Sequence, residues 1–184
     1  MKSAAMHTET SGRILMLTGV PGIGKTTVLR DVARRLAHRT LRGFYTEEMR
    51  EHGERVGFRL VTFDGEQAVI AHIDFRGFPQ VSKYGVDVAA IDAVATRALT
   101  VRPGVDVYLV DEMGKMECLS ASFVRAMRAL LASDKVIIAT IAAKGAGFIA
   151  EVKKRDDILL REVTRANRVE RPEELVQWIE ARCR

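Results

Sequence analysis

The stretch Gly19-Val20-Pro21-Gly22-Ile23-Gly24-Lys25-Thr26-Thr27 decides how the rest of the chain is read. It satisfies G-x-x-x-x-G-K-[ST] at every fixed position. A polyphosphate carries several charges and must come close to the backbone. Glycines clear side chains from its path and allow φ/ψ combinations closed to other residues. Backbone N–H groups can then turn inward, and a helix beginning near Lys25 adds the positive end of its dipole. Lys25 can reach the β- and γ-phosphates, the Thr26 hydroxyl can ligate Mg2+, and Thr27 can contact the α-phosphate. The competing reading is a chance turn. In a chain of this length such a match arises by chance on the order of one time in a hundred. The flanks argue against chance. Ile14-Leu15-Met16-Leu17 reads as a strand buried on both faces. After the loop, Leu29, Val32, Ala33 and Leu36 fall on one face of a helix expected to run to about His38. The stretch is expected to cradle the phosphates of a nucleotide.

Outward from this loop, apolar runs alternate with helical periods. Strands are expected at 105–110, 136–141 and 158–163, and helices at 88–99, 120–132 and 147–155. Pro172 suits the first turn of a terminal helix with Leu175, Val176, Ile179 and Cys183 on its inner face. Strands alternating with helices imply an α/β fold with a mainly parallel sheet and right-handed crossovers. The segment 43–73 differs. It reads as three short strands, 44–50, 55–63 and 66–72, joined by His52-Gly53 and Asp64-Gly65 and therefore antiparallel. This meander is either an insertion into the parallel sheet or an extension of its edge. No internal repeat or low-complexity linker appears, so 13–184 is expected to be one domain behind a loose tail, 1–12.

The totals agree. A length of 184 residues suits one domain, and 47% hydrophobic residues argues against a disordered chain. No apolar run approaches the ~20 residues that cross a bilayer, and MKSAAMHTETSG lacks the apolar core of a secretion signal. A cytoplasmic protein without a membrane partner is expected. The two cysteines, Cys118 and Cys183, make neither a disulfide framework nor a multi-cysteine zinc pattern. A net charge of +5 can attract nucleic acid, membrane or a small anion. The bases are scattered, however: Arg30, Arg34 and Arg35 on one expected helix, Lys153, Lys154 and Arg155 on another. They read as solvated faces, with no aromatic platform for RNA. No DNA partner is expected, RNA stays open, and a monomer is the default.

The second informative stretch is VDVYLVDEMGKMEC, 105–118. An apolar strand delivers Asp111 to the carboxyl edge of the sheet, where ligands of open α/β folds sit. Asp111 can hold Mg2+ through a coordinated water, and Glu112 can orient a water in line with the γ-phosphate. A polar strand end is the alternative, because acidic residues after strands are common; the phosphate loop upstream favours the functional reading. Lys115 and Glu117 either form an ion pair bracing the turn or belong to a solvated surface. At Thr46-Glu47-Glu48, alternation sends the two glutamates to opposite faces. Either one of them faces the cleft to hold a water or the metal, or the pair is exposed with Arg50 and Arg59 as cross-strand partners. Lys83, Tyr84 and Asp87 read only as a polar patch.

These segments together resemble a known family, the small P-loop nucleoside-triphosphatases of thermophile or cancer-related type. The resemblance rests on GVPGIGKTT, GFYTEEMR (43–50), RVGFRLVTFDG (55–65), KYGVD (83–87), VDEMGKMECLSASF (110–123) and EVTRANR (162–168). It covers nearly the whole chain after residue 12. It implies a P-loop NTPase three-layer sandwich and Mg2+-dependent, base-unselective hydrolysis of ATP, GTP and other triphosphates to diphosphate and phosphate. Nucleotide contacts are implied at 19–26 and at Asp111, Glu112, Met113 and Gly114. Arg165 and Asn167 are implied near the base, where a guanidinium can stack and an amide can read an edge; a helix-entry loop is the alternative there. The chain departs from the family in one place. Several members carry His followed by Arg or Lys after the strand at 136–141, whereas this chain reads TIAAKGAGF, 140–148. Ala142 and Ala143 cannot supply a cation. Lys144 remains as the candidate for stabilising transition-state charge, without the fork of an arginine. Two other functions fit a phosphate loop: a small nucleotide or nucleoside kinase, and a nucleotide-gated RNA-binding module. A kinase usually needs an arginine-rich lid, and only Arg155 lies between 139 and 155.

Overall fold

The computed structural model describes residues 12–183. The expected loose tail, 1–12, therefore lies outside the described residues except for Gly12. The chain order runs β1 (Ile14–Thr18), α1 (Lys25–Arg35), β2 (Leu41–Glu51), β3 (Glu54–Thr62), β4 (Gln67–His72), β5 (Gln80–Val81), β6 (Tyr84–Val86) and α2 (Val88–Leu99). It continues through β7 (Val107–Met113), α3 (Ala121–Leu131), β8 (Val136–Ile141), α4 (Phe148–Lys153), β9 (Ile158–Glu162) and α5 (Arg171–Glu180).

Strand β1 shows how the layers arise. Its side chains alternate across the sheet, as the strand period demands. Ile14 and Met16 join the core shared with Ile91, Phe123, Met127 and Phe148, from α2, α3 and α4. Leu15 and Leu17 join the opposite core, with Val28, Leu29 and Val32 of α1 and Leu175 and Ile179 of α5. Both faces are covered, which is why the run reads as continuously apolar. Each such side chain contributes about 1.5–3 kcal/mol on burial. Among the described residues, no helix is long and apolar enough to cross a membrane.

The nine strands among the described residues form one sheet, in the order β5-β6-β4-β3-β2-β7-β8-β1-β9. From β2 to β9 the pairings are parallel; from β2 outward through β3, β4, β6 and β5 they are antiparallel. The meander is thus an extension of the edge, and β2 belongs to both halves. Its start pairs with β7, from Leu41↔Val107 to Phe44↔Val110, and its remainder pairs with β3, from Phe44↔Thr62 to Glu51↔Glu54. Gly43 marks the seam. It holds φ at +107°, and a Cβ there would fall 1.9 Å from the Leu109 carbonyl oxygen.

Several expectations need correction. The meander gains the two short strands β5 and β6, too brief to show a period. Tyr84 and Asp87 are not a surface patch: Tyr84 is 3% exposed in the core, and the Asp87 carboxylate caps α2 by accepting the Ala90 N–H at 2.9 Å. Helix α1 ends at Arg35 rather than near His38, where the Leu36 N–H closes on the Val32 carbonyl at 3.0 Å. Helix α5 ends at Glu180, so Cys183 lies beyond it, though it still packs against the α1–α5 core.

Candidate active site

Strand β1 delivers the phosphate loop, and β7 and β8 deliver its polar partners to the same rim. Gly24 caps α1 in the left-handed region, with φ at +107°. This aims the first N–H groups of the helix at the loop's hollow. Lys25 is 7% exposed. Its ammonium donates to the Gly19 carbonyl at 3.2 Å and lies 3.6 Å from Glu112 Oε2.

Asp111 sits at the centre of a hydroxyl cage. The Thr26 hydroxyl donates to its Oδ2 at 2.6 Å and the Thr140 hydroxyl to its Oδ1 at 2.6 Å. Thr46 adds its hydroxyl at 3.2 Å and its N–H at 3.5 Å, both to Oδ2. Asp111 is 1% exposed, and among the described residues no cation pairs with it. Among the described residues there is no group of three or more His, Cys, Asp or Glu that could by itself hold a metal ion. An oxygen donor set of one carboxylate and one hydroxyl nevertheless fits Mg2+, which keeps waters and phosphate oxygens as its other ligands. Thr26 and Asp111 are the residues that would hold it.

Glu112 follows Asp111 through a cis peptide bond. Burial pushes its pKa above the usual carboxylate range; Lys25 pulls the other way and Asp111 pushes with burial. Glu117 is buried and accepts the Gly114 N–H at 3.2 Å. Burial, opposed by backbone N–H groups, raises it to about 8. No Lys115–Glu117 ion pair forms among the described residues, and Glu117 is not solvated. The ion-pair reading fails, and the solvated-surface reading holds for the exposed Lys115 alone, because the turn after β7 folds Glu117 inward.

The other expected residues are placed as follows. Val20, Pro21 and Gly22 are exposed on the loop, Ile23 is buried beneath it, and Thr27 is exposed on the first turn of α1. The Met113 side chain is fully buried in the core, leaving only its backbone at the rim. Neither Glu47 nor Glu48 reaches Asp111. Glu47 pairs with Arg30 at 3.4 Å, and Glu48 with Arg50 and Arg55 at 2.6 and 2.7 Å. Arg59 donates to Gln67 instead, at 3.2 Å. Asn167 spends its amide inside its own turn, accepting the Thr164 N–H at 2.9 Å and donating to the Glu162 carbonyl at 3.0 Å. Arg165 is exposed on that turn, which Arg168 ties to the phosphate loop through the Ile23 carbonyl at 3.4 Å. Lys144 is exposed on the turn after β8, a turn anchored by the Ala142 N–H on the Met113 carbonyl at 3.2 Å.

Thr140 and the Thr46 hydroxyl are the contributions that sequence reasoning missed. Their signal is faint: a single hydroxyl in the otherwise apolar run VIIATI, and one beside two more conspicuous glutamates.

A family model described as NTPase matches residues 14–176. The chain belongs to this family. Its NTPase relatives include the nucleoside-triphosphatase THEP1 of Thermotoga sp. (strain RQ2), 37% identical over 155 residues, which cover 84% of this chain and 88% of the relative. The human cancer-related nucleoside-triphosphatase is 33% identical over 172 residues, covering 85% and 90%. Among solved structures, the crystal structure of THEP1 from Aquifex aeolicus is similar with a TM-score of 0.80 and 31% identity, covering 90% of this chain and 98% of that one. The solution structure of the human protein gives 0.79 and 31%, covering 92% and 98%. The NTPase fold is therefore the P-loop three-layer sandwich with a mainly parallel sheet, extended by an antiparallel meander.

Proposed function

We propose that this chain hydrolyses nucleoside 5'-triphosphates to the diphosphate and phosphate, with Mg2+ and little selectivity for the base. The observation that carries the reading is the convergence on one rim. The Lys25 ammonium lies 3.6 Å from Glu112, and the Thr26 hydroxyl 2.6 Å from Asp111. Membership of the NTPase family supports it.

In this reading the loop N–H groups and Lys25 bind the β- and γ-phosphates, Lys25 leaving the Gly19 carbonyl to do so. Thr27 contacts the α-phosphate. Thr26 and Asp111 would hold Mg2+, which would supply charge neutralisation on the phosphate oxygens. Thr46 and Thr140 keep the Asp111 carboxylate fixed in direction. Glu112 accepts a hydrogen bond from water and aligns it with the γ-phosphorus; the burial that raises its pKa makes it a better base. Lys144 brings positive charge to the γ-phosphate from the turn after β8. Arg165 stacks on the base, while Asn167 shapes the turn that presents it. Catalysis is then positioning plus electrostatics. The reading includes residues 13–184 as one domain and a cytoplasmic monomer, in keeping with two free, half-buried thiols.

The test is phosphate release from a panel of triphosphates with Mg2+ and no acceptor. Release from several bases is expected. Release that requires added nucleoside would make the chain a kinase. Glu112→Gln is expected to bind nucleotide and lose most turnover; turnover at the native rate would remove Glu112 from this role.

A further inference from the structure

The turn after β7 holds a buried carboxyl for which the proposed reaction has no use. Glu117 opens a single 3-10 turn, Glu117–Leu119, and is 5% exposed. Among the described residues it forms no ion pair. Its Oε2 accepts the Gly114 N–H at 3.2 Å. The Cys118 N–H returns to the Gly114 carbonyl at 3.1 Å and the Ser120 N–H to the Glu117 carbonyl at 3.0 Å. The turn is thereby closed on itself.

The Gly114 Cα is a common floor for two carboxyl groups. A Cβ there would fall 2.8 Å from Glu117 Oε2, 3.1 Å from Glu112 Oε1 and 3.2 Å from Glu112 Cγ. The side chain at 112 rests on backbone that Glu117 holds. We infer that Glu117 is a positioning residue, whose buried carboxyl fixes the Gly114 turn and through it the direction of the Glu112 carboxylate. The inference rests on Glu112 being the group that aligns water.

The surrounding charges fit this role. Strand β7 presents Asp111 and Glu112, and Lys25 of α1 is engaged with Glu112. Asp92 of α2 is held by the Ser120 hydroxyl, and Asp87 caps its own helix. From α3, Arg125 turns to Ser122 and Arg128 to Glu151. The turn itself adds Lys115, which is exposed, and Cys118, whose thiol burial pushes up to about 12. With its pKa raised to about 8, Glu117 is uncharged at neutral pH. It therefore fixes Gly114 without setting another negative charge beside Glu112. A charge there at higher pH would oppose both Glu112 and the incoming triphosphate.

The test compares Glu117→Gln, Glu117→Met, Glu112→Gln and the Glu112→Gln/Glu117→Met double variant, with folding followed by thermal unfolding. Glu117→Met removes the acceptor but keeps the length. It is expected to lower kcat about tenfold or more while nucleotide affinity stays within about twofold. Glu117→Gln restores an acceptor and is expected to recover most of that rate. On the Glu112→Gln background, Glu117→Met is expected to cost nothing further, within about twofold. The inference is overturned by a native kcat in Glu117→Met, by equal losses in the Met and Gln variants, or by an undiminished loss on the Glu112→Gln background. If Glu117→Met unfolds, the pH profile of Glu117→Gln decides. The native rate should fall above about pH 8 and the Gln rate should not; a shared alkaline limb overturns the inference. Native turnover in Glu112→Gln alone would remove the hydrolytic base and this inference together, whereas the preceding results remove only the inference.

Discussion

Gly43→Ala is expected to damage this protein more than any surface glycine change. A Cβ at 43 would lie 1.9 Å from the Leu109 carbonyl oxygen and 2.8 Å from its carbon, where contact normally begins near about 3.5 Å. The obstacle is the backbone of a central strand, so no rotamer change relieves it. The φ of +107° adds strain that alanine cannot avoid. Strain at such a position costs about 1–3 kcal/mol, and forcing extra volume into a packed seam another 1–3 or so. The sum, about 2–6 kcal/mol, is a large part of a domain's usual 5–15 or so. Relief by opening the β2–β7 seam would draw Thr46 off Asp111, so nucleotide affinity should fall as well. Urea unfolding of the native and variant proteins measures the first effect, with Gly53→Ala as control. Gly53 also has positive φ, at +84°, but nothing within 4 Å of a Cβ; it should lose only the backbone strain, about 1–2 kcal/mol. A Gly43→Ala loss no larger than the control's would refute the close-approach argument.

Lys25→Ala should lose nucleotide binding and turnover together, measured by titration with a fluorescent triphosphate; unchanged affinity would detach the loop from its phosphates. Turnover should rise with pH along an acid limb lying above the ordinary carboxylate 4.5, because burial raises Glu112 and only its ionised form accepts the hydrogen bond from water; a rate already flat at pH 5 would contradict that. Glu117 reads directly on stability. Its folded value, about 8, lies above the usual 4.5. Its favourable contribution is therefore complete below about pH 4.5 and is lost as pH rises toward 8, at about 1.4 kcal/mol per pH unit. Glu117→Gln cannot ionise, so its unfolding free energy should gain a few kcal/mol on the native protein across that window; a constant difference would count against the buried acid. Thr140→Val should keep the fold and weaken Mg2+-nucleotide binding tenfold or more, at about 1.5–3 kcal/mol for the lost hydrogen bond to the Asp111 carboxylate.

The phosphate loop was legible because its chemistry is written in consecutive residues. The buried strands were legible because both faces of the sheet are covered, so runs such as Ile14–Thr18 and Val136–Ile141 carry no polar interruption until their ends. What stayed hidden depends on partners distant in sequence. Thr46 lies 65 positions from Asp111 and Thr140 lies 29, and nothing local marks a hydroxyl for such a contact. The glutamates beside Thr46 attracted the reading because charge is more conspicuous than a hydroxyl, yet they are neutralised by Arg30, Arg50 and Arg55. Glu117 was misread for a related reason: a carboxyl next to lysine and methionine looks solvated until the turn that buries it is known. Strand β6 has three residues, all buried, too few for any period to emerge.

The double membership of β2 means that the meander is a structural beam rather than a detachable ornament. Excising 43–73 would remove Gly43 and Phe44 from beside the β7 backbone and leave only Leu41 and Arg42 along that edge. It would also strip α2 of Leu60 and Ile70, which share its core. A chimera that borrows this meander must therefore carry the strand root and α2 along with it, as one block from Leu41 to Leu99.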